Sequence, residues 1–361
     1  MSIHFHKLTV KEVRKETQDC VSVLFDVPSE LQKEFSFTHG QSLTMRTTLD
    51  GEEVRRTYSI CASPLEKEWR VAIKKVEGGV FSSYANETLK PGEVLEVMTP
   101  VGNFNTVLVP SQKKNYVAFA AGSGITPVLS IIKTTLAVEP LSSFTLIYGN
   151  RHRQSILFFE ELEGLKNKFM ERFSLINILS REKTDATINW GRIDLEKLKE
   201  LDAFLDFSSM DDFFVCGPEE MIFCVKEFLM EDGIDKKKIH FELFTSPGDA
   251  LRKASVKKEK IPHSAGAKSN ITVKLDGRSF EFDLPFSSEQ SLLDAALQQG
   301  ADLPYACKGG MCCTCKAKLL EGQVSMDVHW GLEEEEVEKG YILTCQSHPR
   351  TERVVVDFDI K

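Results

Sequence analysis

Apolar and polar positions alternate with a period of two through residues 8–13, 21–27, 41–47, 54–60, 70–76 and 94–98, which predicts six short strands. Asp50-Gly51 is a strong hairpin signal between two of them, and Pro91-Gly92 marks another turn. Strands so short and so regularly spaced predict a small antiparallel barrel. Near its end, glycines at 78 and 79 lead into a helix running to about Thr88. From Tyr116 the rhythm changes. Apolar runs at 116–121, 144–148, 173–179 and 213–216 alternate with helical stretches at 128–136, 158–168 and 195–201, the pattern of a parallel sheet with crossover helices. Ser246-Pro247-Gly248 and the Lys-, Ser- and Ala-rich residues after it keep no apolar period and read as a flexible linker. Beyond it, 271–275 and 279–284 form a hairpin about Asp276-Gly277, 291–300 a helix ending at Gly300, and 353–358 a last strand. The expected organisation is therefore a β-barrel at 1–108, an α/β domain at 109–247, a linker at 248–268 and a small third domain at 269–361.

Composition agrees with that division. A chain of 361 residues, 42% of them hydrophobic, has room for two or three globular domains with their own cores. No apolar run approaches a membrane span, and Met-Ser-Ile-His-Phe-His-Lys lacks the design of a signal peptide, so the expected location is the cytoplasm. The net charge of -9 is uneven: residues 269–361 carry 9 Lys/Arg against 16 Asp/Glu, whereas 249–268 carry 6 against 2. An acidic third domain argues against nucleic acid as a partner and suits a positively charged protein. A merely solvated acidic surface, with Glu333 to Glu336 as a helix face or first turn, has the same composition.

The cysteines add chemistry. Cys307, Cys312 and Cys315 follow the spacing C-x4-C-x2-C, and Cys345 lies alone downstream, the pattern by which four thiolates hold a 2Fe-2S cluster, two per iron. Gly309 and Gly310 supply the backbone freedom that close wrapping of an anionic cluster needs. A structural zinc site also uses C-x2-C, but usually with a second such pair or two histidines. The remaining cysteines show no disulfide-like framework. The run from Pro304 to Lys318 resembles a plant-type ferredoxin cluster loop, departing from its commonest form at Cys313, where a small residue, often glycine, is usual. Cys313 is expected to be an inert side chain and not an alternative ligand.

Arg56-Thr57-Tyr58-Ser59 lies on a predicted barrel strand. Arginine pairs with a diphosphate, a ring two residues on shares its face, and the next hydroxyl can reach a heterocycle nitrogen. Alone, the four residues are ordinary strand alternation. Twenty or so residues later, Gly78-Gly79-Val80-Phe81-Ser82 opens a helix whose N-terminal N–H groups suit a phosphate, with Ser82 as the expected N-cap. Together they resemble the flavin-binding barrel of the ferredoxin-NADP reductase superfamily. That resemblance implies that Arg56 contacts the pyrophosphate, Tyr58 packs on the isoalloxazine and Ser59 lies near its N5. It also implies that Ile73 and Lys74 offer backbone groups to the ring edge and that Gly79 and Ser82 cap the pyrophosphate, favouring FAD over FMN.

Gly122-Ser123-Gly124-Ile125-Thr126-Pro127 lacks the third glycine of the dinucleotide fingerprint but resembles the superfamily's G-x-G-x-x-P turn, which implies that Gly122, Gly124, Thr126 and Pro127 face the nucleotide. Ser180-Arg181 resembles the pair with which NADP-specific members hold the 2'-phosphate, Arg151 and Arg192 assisting. NAD-specific members would show an acidic residue there, and a Ser-Arg pair is also common on plain surface loops. Cys216-Gly217-Pro218 resembles the element beside the nicotinamide, where Cys216 shapes hydride transfer without acting as a nucleophile. Phe244 is a candidate to cover the flavin.

The resemblance spans the whole chain: flavin barrel, NADP-binding α/β domain, β-grasp 2Fe-2S ferredoxin. It is similar to the reductase component of the multicomponent phenylacetyl-CoA epoxidase, and to reductases of ring- and steroid-hydroxylating oxygenases. The implied function passes electrons from NADPH through FAD and the cluster to a terminal oxygenase, in phenylacetate catabolism. NADPH gives an electron pair and the cluster accepts one at a time, so a flavin must stand between them. An acyl desaturase or a hybrid-cluster protein could receive the same electrons. A zinc-binding interaction module on a degenerate reductase scaffold is the non-enzymatic alternative; it would be colourless, where a flavin and cluster protein is yellow-brown and bleached by NADPH.

Overall fold

The barrel strands are β1 (Phe5–Thr17), β2 (Cys20–Asp26), β3 (Ser42–Leu49), β4 (Glu52–Ser59), β5 (Trp69–Lys74) and β6 (Val94–Met98). They pair antiparallel in the order β4-β3-β6-β1-β2-β5, and a bridge between Ile60 and Val71 joins the two outer strands. The alternation read in the sequence is the reason. Leu8, Val10, Val23, Phe25, Leu43, Met45, Val71, Leu95 and Val97 are buried together, with Phe81 and Ala85 of helix α1 (Val80–Glu87) among them. A fully buried ring such as Phe25 contributes about 1.5–3 kcal/mol relative to leaving it exposed. The computed structural model from which these elements are taken describes residues 4–244 and 267–360. All of the expected linker except Ala267 and Lys268 lies outside the described residues, and Lys268 already belongs to a strand.

The second sheet is wholly parallel. Its strands are β7 (Asn115–Ala121), β8 (Ser143–Asn150), β9 (Phe173–Leu179), β10 (Asp212–Gly217) and β11 (Ile239–Leu243), ordered β11-β10-β7-β8-β9. Helices α2 (Ile125–Val138), α3 (Phe159–Lys168), α4 (Leu195–Leu205) and α5 (Glu219–Glu231) connect them. Helix α2 begins three residues before the expected 128, because Pro127 falls in its first turn, where no N–H is needed for the helix ladder. The order in which successive strands are added reverses at β7, so the crevice between the carboxyl ends of β7 and β10 is the place where such sheets take ligands. The barrel leans on this sheet through α2: Ser130 Oγ donates to the Ala62 carbonyl at 2.6 Å, and the Ser63 and Thr134 hydroxyls meet at 2.9 Å. The buried Glu139 carboxylate accepts from Val109 N–H, Tyr116 Oη and Ser142 Oγ at 2.8–2.9 Å, fixing the connection between the two halves.

These two sheets form one compact unit, Phe5–Pro100 with Phe104–Phe244. The other unit contains β12 (Lys268–Leu275), β13 (Arg278–Pro285), β14 (Lys316–Glu321), β15 (Val324–Met326), β16 (Tyr341–Leu343), β17 (Ser347–Pro349) and β18 (Arg353–Asp357). Five of them form a sheet ordered β13-β12-β18-β14-β16, with β12 and β18 parallel, while β15 pairs with β17. Helix α6 (Leu292–Gln298) is capped by Ser291, whose Oγ accepts from Asp294 N–H at 3.1 Å, and it lays Leu292, Leu293, Ala295 and Ala296 on the core. A five-residue helix, α7 (Glu334–Glu338), carries the acidic run.

Candidate functional site

At the reversal point two backbones almost touch. A Cβ on Gly124 would lie 2.1 Å from the Cys216 carbonyl oxygen, so no other residue fits there without moving β10. Cys216 is fully buried and pairs in register with Glu242 on β11. Burial first, and the Glu242 carboxylate second, push its thiol pKa well above the usual range, so it stays protonated. Glu242 in turn accepts a hydrogen bond of 2.9 Å from the hydroxyl of Ser59, which ends β4 and is only 3% exposed. Ser59 and Cys216 stand out separately in the sequence, and the structure brings them to one place through Glu242, which sequence reasoning missed. The available signal was a carboxylate among apolar residues in His240-Phe-Glu-Leu-Phe.

Along β4, Arg56 and Tyr58 share a face and are half-buried. The Tyr58 ring lies 5.8 Å from that of Phe81, and burial raises its hydroxyl pKa. Arg56 Nη1 donates to the Arg55 carbonyl at 2.6 Å. On β5 the Ile73 carbonyl accepts from Asn86 Nδ2 at 2.9 Å, and Lys74 Nζ lies 3.5 Å from the Asp19 carboxylate. One expectation needs correction: the N-cap of α1 is Gly79, not Ser82. Ser82 lies three residues inside, its Oγ accepting from Val76 N–H at 3.1 Å and donating to the Gly79 carbonyl at 3.2 Å. The hydroxyl is thereby committed to shaping the turn, and the first N–H groups of α1 stay outside the helix ladder, as those of any helix do.

Gly122 has φ +54°, a conformation that favours glycine, and its carbonyl accepts from the buried Tyr148 hydroxyl at 2.9 Å. Thr126 Oγ donates to the Ser123 carbonyl at 3.0 Å, and Pro127 is buried beside it. At the ends of β8 and β9, Ser180 donates to the Asn150 carbonyl through both N–H (2.9 Å) and Oγ (3.2 Å), and Arg181 N–H donates to Arg151. The side chains of Arg151, Arg181 and Arg192 are exposed at this carboxyl edge. Gly217 follows Cys216 at the end of β10, and Pro218 is the N-cap of α5. Phe244 is 44% exposed just beyond β11.

In the other unit the thiols stand as two pairs. Gly309 N–H and Cys312 N–H donate to Cys307 Sγ at 3.3 and 3.5 Å, while hydrogen bonding with the Cys312 thiol first, against burial, pulls the Cys307 pKa down to about 6. The free Cys315 thiol is hydrogen-bonded with Cys345, which together with burial raises its pKa. No three His, Cys, Asp or Glu side chains gather around a single ion among the described residues. Two thiol pairs, one with backbone donors aimed at sulfur, fit a cluster of two irons with two thiolates each. Left-handed residues at Lys308, Gly310 and Cys313 curl the loop around them. The Cys313 thiol donates to the Gly331 carbonyl at 2.8 Å.

Comparison with known proteins agrees with this division. Residues 7–106 match an oxidoreductase FAD-binding domain, 119–227 an oxidoreductase NAD-binding domain, and 273–350 a 2Fe-2S iron-sulfur cluster binding domain. The chain is 49% identical over 358 residues to one of the subunits of the 1,2-phenylacetyl-CoA epoxidase of Escherichia coli K12, covering 99% of this chain and 98% of that one. It is 33% identical to the ferredoxin reductase component of the Rhodococcus rhodochrous 3-ketosteroid-9-alpha-monooxygenase, over 97% of this chain and 96% of the other. In structure it resembles phthalate dioxygenase reductase, with a TM-score of 0.58 at 24% identity and 98% of each chain covered. The chain belongs to the family of FAD-, NAD- and 2Fe-2S-binding oxidoreductases that act as reductase components of oxygenase systems.

Proposed function

We propose that this chain draws electrons from NADPH and delivers them, through FAD and the cluster, to the oxygenase component of a phenylacetyl-CoA epoxidase. The observation that carries the reductase reading is the meeting of Ser59, Glu242 and Cys216 at the reversal point of the sheet. The choice of oxygenase rests on the 49% identity to the Escherichia coli epoxidase component. Bound flavin supplies the exchange between an electron pair and single electrons. The residues do the positioning. Arg56 and the Gly79–Ser82 turn hold the pyrophosphate, Tyr58 lies against the flavin ring, and the backbone at Ile73 and Lys74 borders it. Ser59, fixed by the Glu242 carboxylate, keeps one hydroxyl oriented at the crevice, while the buried, protonated Cys216 packs its backbone against bare Gly124. Gly122, Thr126, Pro127, Gly217 and Pro218 shape the nucleotide crevice.

Ser180 and Arg181 read the 2'-phosphate, and Cys307, Cys312, Cys315 and Cys345 hold the cluster with Cys313 inert. The domains run 1–108, 109–247 and 269–361 about a linker at 248–268. With free thiols that a reducing compartment keeps reduced, we place the protein in the cytoplasm. Anaerobic titration of the purified protein tests the electron chain: NADPH should bleach the flavin absorbance and give a reduced-cluster EPR signal, more effectively than NADH. Reconstitution with the other epoxidase components should then convert phenylacetyl-CoA. Cluster reduction with no turnover there, but turnover with a desaturase or ring hydroxylase, would replace the partner and keep the rest.

A further inference from the structure

Asn150 ends β8 at the carboxyl edge of the parallel sheet and is only 8% exposed. Its backbone carbonyl is used twice, by Ser180. Its side-chain Nδ2 is buried and has no hydrogen-bond partner among the described residues. The amide lies close to the Tyr148 hydroxyl, whose pKa burial raises and Asn150 lowers. Even so, an amide nitrogen carries two N–H donors, so at least one is unspent. A buried donor left unmet costs about 1–3 kcal/mol, a cost a ligand acceptor would remove.

The topology says which ligand. Residues 148 and 150 alternate onto the same face of β8, and the Tyr148 hydroxyl on that face reaches the Gly122 carbonyl. Asn150 stands one pleat repeat, about 6.6 Å, further out, at the mouth of the crevice beside that turn. In sheet order, β7 ends in the Gly122 turn and the N-terminus of α2, β8 ends in Asn150, and β9 ends at Ser180-Arg181. A dinucleotide with its pyrophosphate at α2 and its adenosine 2'-position at Arg181 has to cross the end of β8. We propose that Asn150 is a nucleotide-binding residue whose side-chain amide donates to the ADP-ribose portion that NADPH and NADH have in common. It complements Arg181, which distinguishes the two, and it rests on the nucleotide reading of this crevice.

The test measures binding of NADP+, NAD+ and ADP-ribose to the full chain by calorimetry. Asn150→Ala should weaken all three about tenfold, the loss of one hydrogen bond to a polar or charged acceptor, and should leave the ratio of NADP+ to NAD+ affinity unchanged. Asn150→Asp has the same size but sets a carboxylate toward phosphate oxygens, and it should weaken all three further. Asn150→Ala should leave the melting temperature nearly unchanged, since the donor it removes is unmet in the free protein, whereas Asn150→Asp buries a carboxylate and should lower it. Wild-type affinity in either variant, or a loss confined to NADP+, would overturn the assignment. If Asn150→Ala fails to fold, the near-isosteric Asn150→Asp decides by the same criterion. Wild-type protein that binds none of the three would defeat the crevice reading itself, a result distinct from a variant that binds normally.

Discussion

Replacing Ser59 with alanine removes the hydroxyl that donates to Glu242 across 2.9 Å in a site only 3% exposed on the serine side. A hydrogen bond to a charged acceptor is worth about 1.5–3 kcal/mol. Only the part that differs between ground and transition states affects the rate, so the lower end is the better guide, and about 1.4 kcal/mol is tenfold. Ser59→Ala should therefore slow flavin reduction by NADPH about tenfold in anaerobic stopped flow, while nucleotide binding stays within about twofold because the serine is not a phosphate contact. Glu242→Gln keeps an acceptor oxygen at the same place and loses only the charge; about half the bond energy, and hence about threefold in rate, should go. The double variant should be slower than wild type by much less than the product of the two effects, because the two groups act through one bond. Wild-type flavin reduction in Ser59→Ala, or strictly multiplicative effects in the double variant, would refute the idea that this bond orients the site.

Serine at Cys307, Cys312, Cys315 or Cys345 should abolish normal cluster absorbance and EPR, whereas Cys313→Ala should retain both; the reverse outcome for Cys312 and Cys313 would reassign the ligands. Arg181→Ala should cut the preference for NADPH over NADH about tenfold through the NADPH arm alone, read from kcat/KM with each nucleotide. Raising ionic strength should slow electron delivery from pre-reduced protein to the oxygenase if the acidic third domain docks there, since exposed charges are screened beyond about 8 Å at physiological salt; a flat or rising rate would remove that idea. Asp212 is 6% exposed; burial raises its pKa, but hydrogen bonds from His240 and Lys114 (3.2 and 2.7 Å) outweigh this and hold it below the usual value. A depressed carboxylate stabilises above its unfolded pKa, so Asp212→Asn should destabilise by about 3 kcal/mol near neutrality, and the difference in melting should shrink as pH falls below about 4.

The barrel was legible because one face of each strand is buried and the other is not, which writes a period of two into the chain. The parallel strands were legible for the opposite reason: covered on both faces, β7 and β10 are almost continuously apolar. Helix α5 is absent from the sequence reading although Met221, Ile222, Val225 and Leu229 keep a helical period, because the Cys216-Gly217-Pro218 element before it carries the stronger signal. Strands β15, β16 and β17, of three residues each, are too short to carry any period, and they exist through their pairing, β15 with β17 and β16 with β14. Ser82 was misassigned as a cap because a serine after glycines looks like one in sequence. Gly79 takes that position, since a side chain there would collide with the Ser82 hydroxyl at 2.5 Å.

The candidate site divides along the same physical line. Residues that act through backbone shape announce themselves, because a glycine at 122 or 124 or a proline at 127 has few other reasons to be there. Glu242 acts through a coincidence of three distant segments. It lies opposite Cys216 only because β10 and β11 pair in one register, and it reaches Ser59 across 183 residues of sequence. A slip of one residue in that parallel pairing would turn the carboxylate to the other face of the sheet and leave the Ser59 hydroxyl without this acceptor. The register is held from below by Asp212, which opens β10 and meets Lys114 just before β7 in an ion pair and His240 on β11 in a hydrogen bond. The acid-sensitive cluster at one end of the sheet and the oriented serine at the other are thus two consequences of one strand pairing. Asp212→Asn should accordingly slow flavin reduction modestly even at a temperature where the protein remains folded, and a rate equal to wild type there would show that the register survives without the lower clamp.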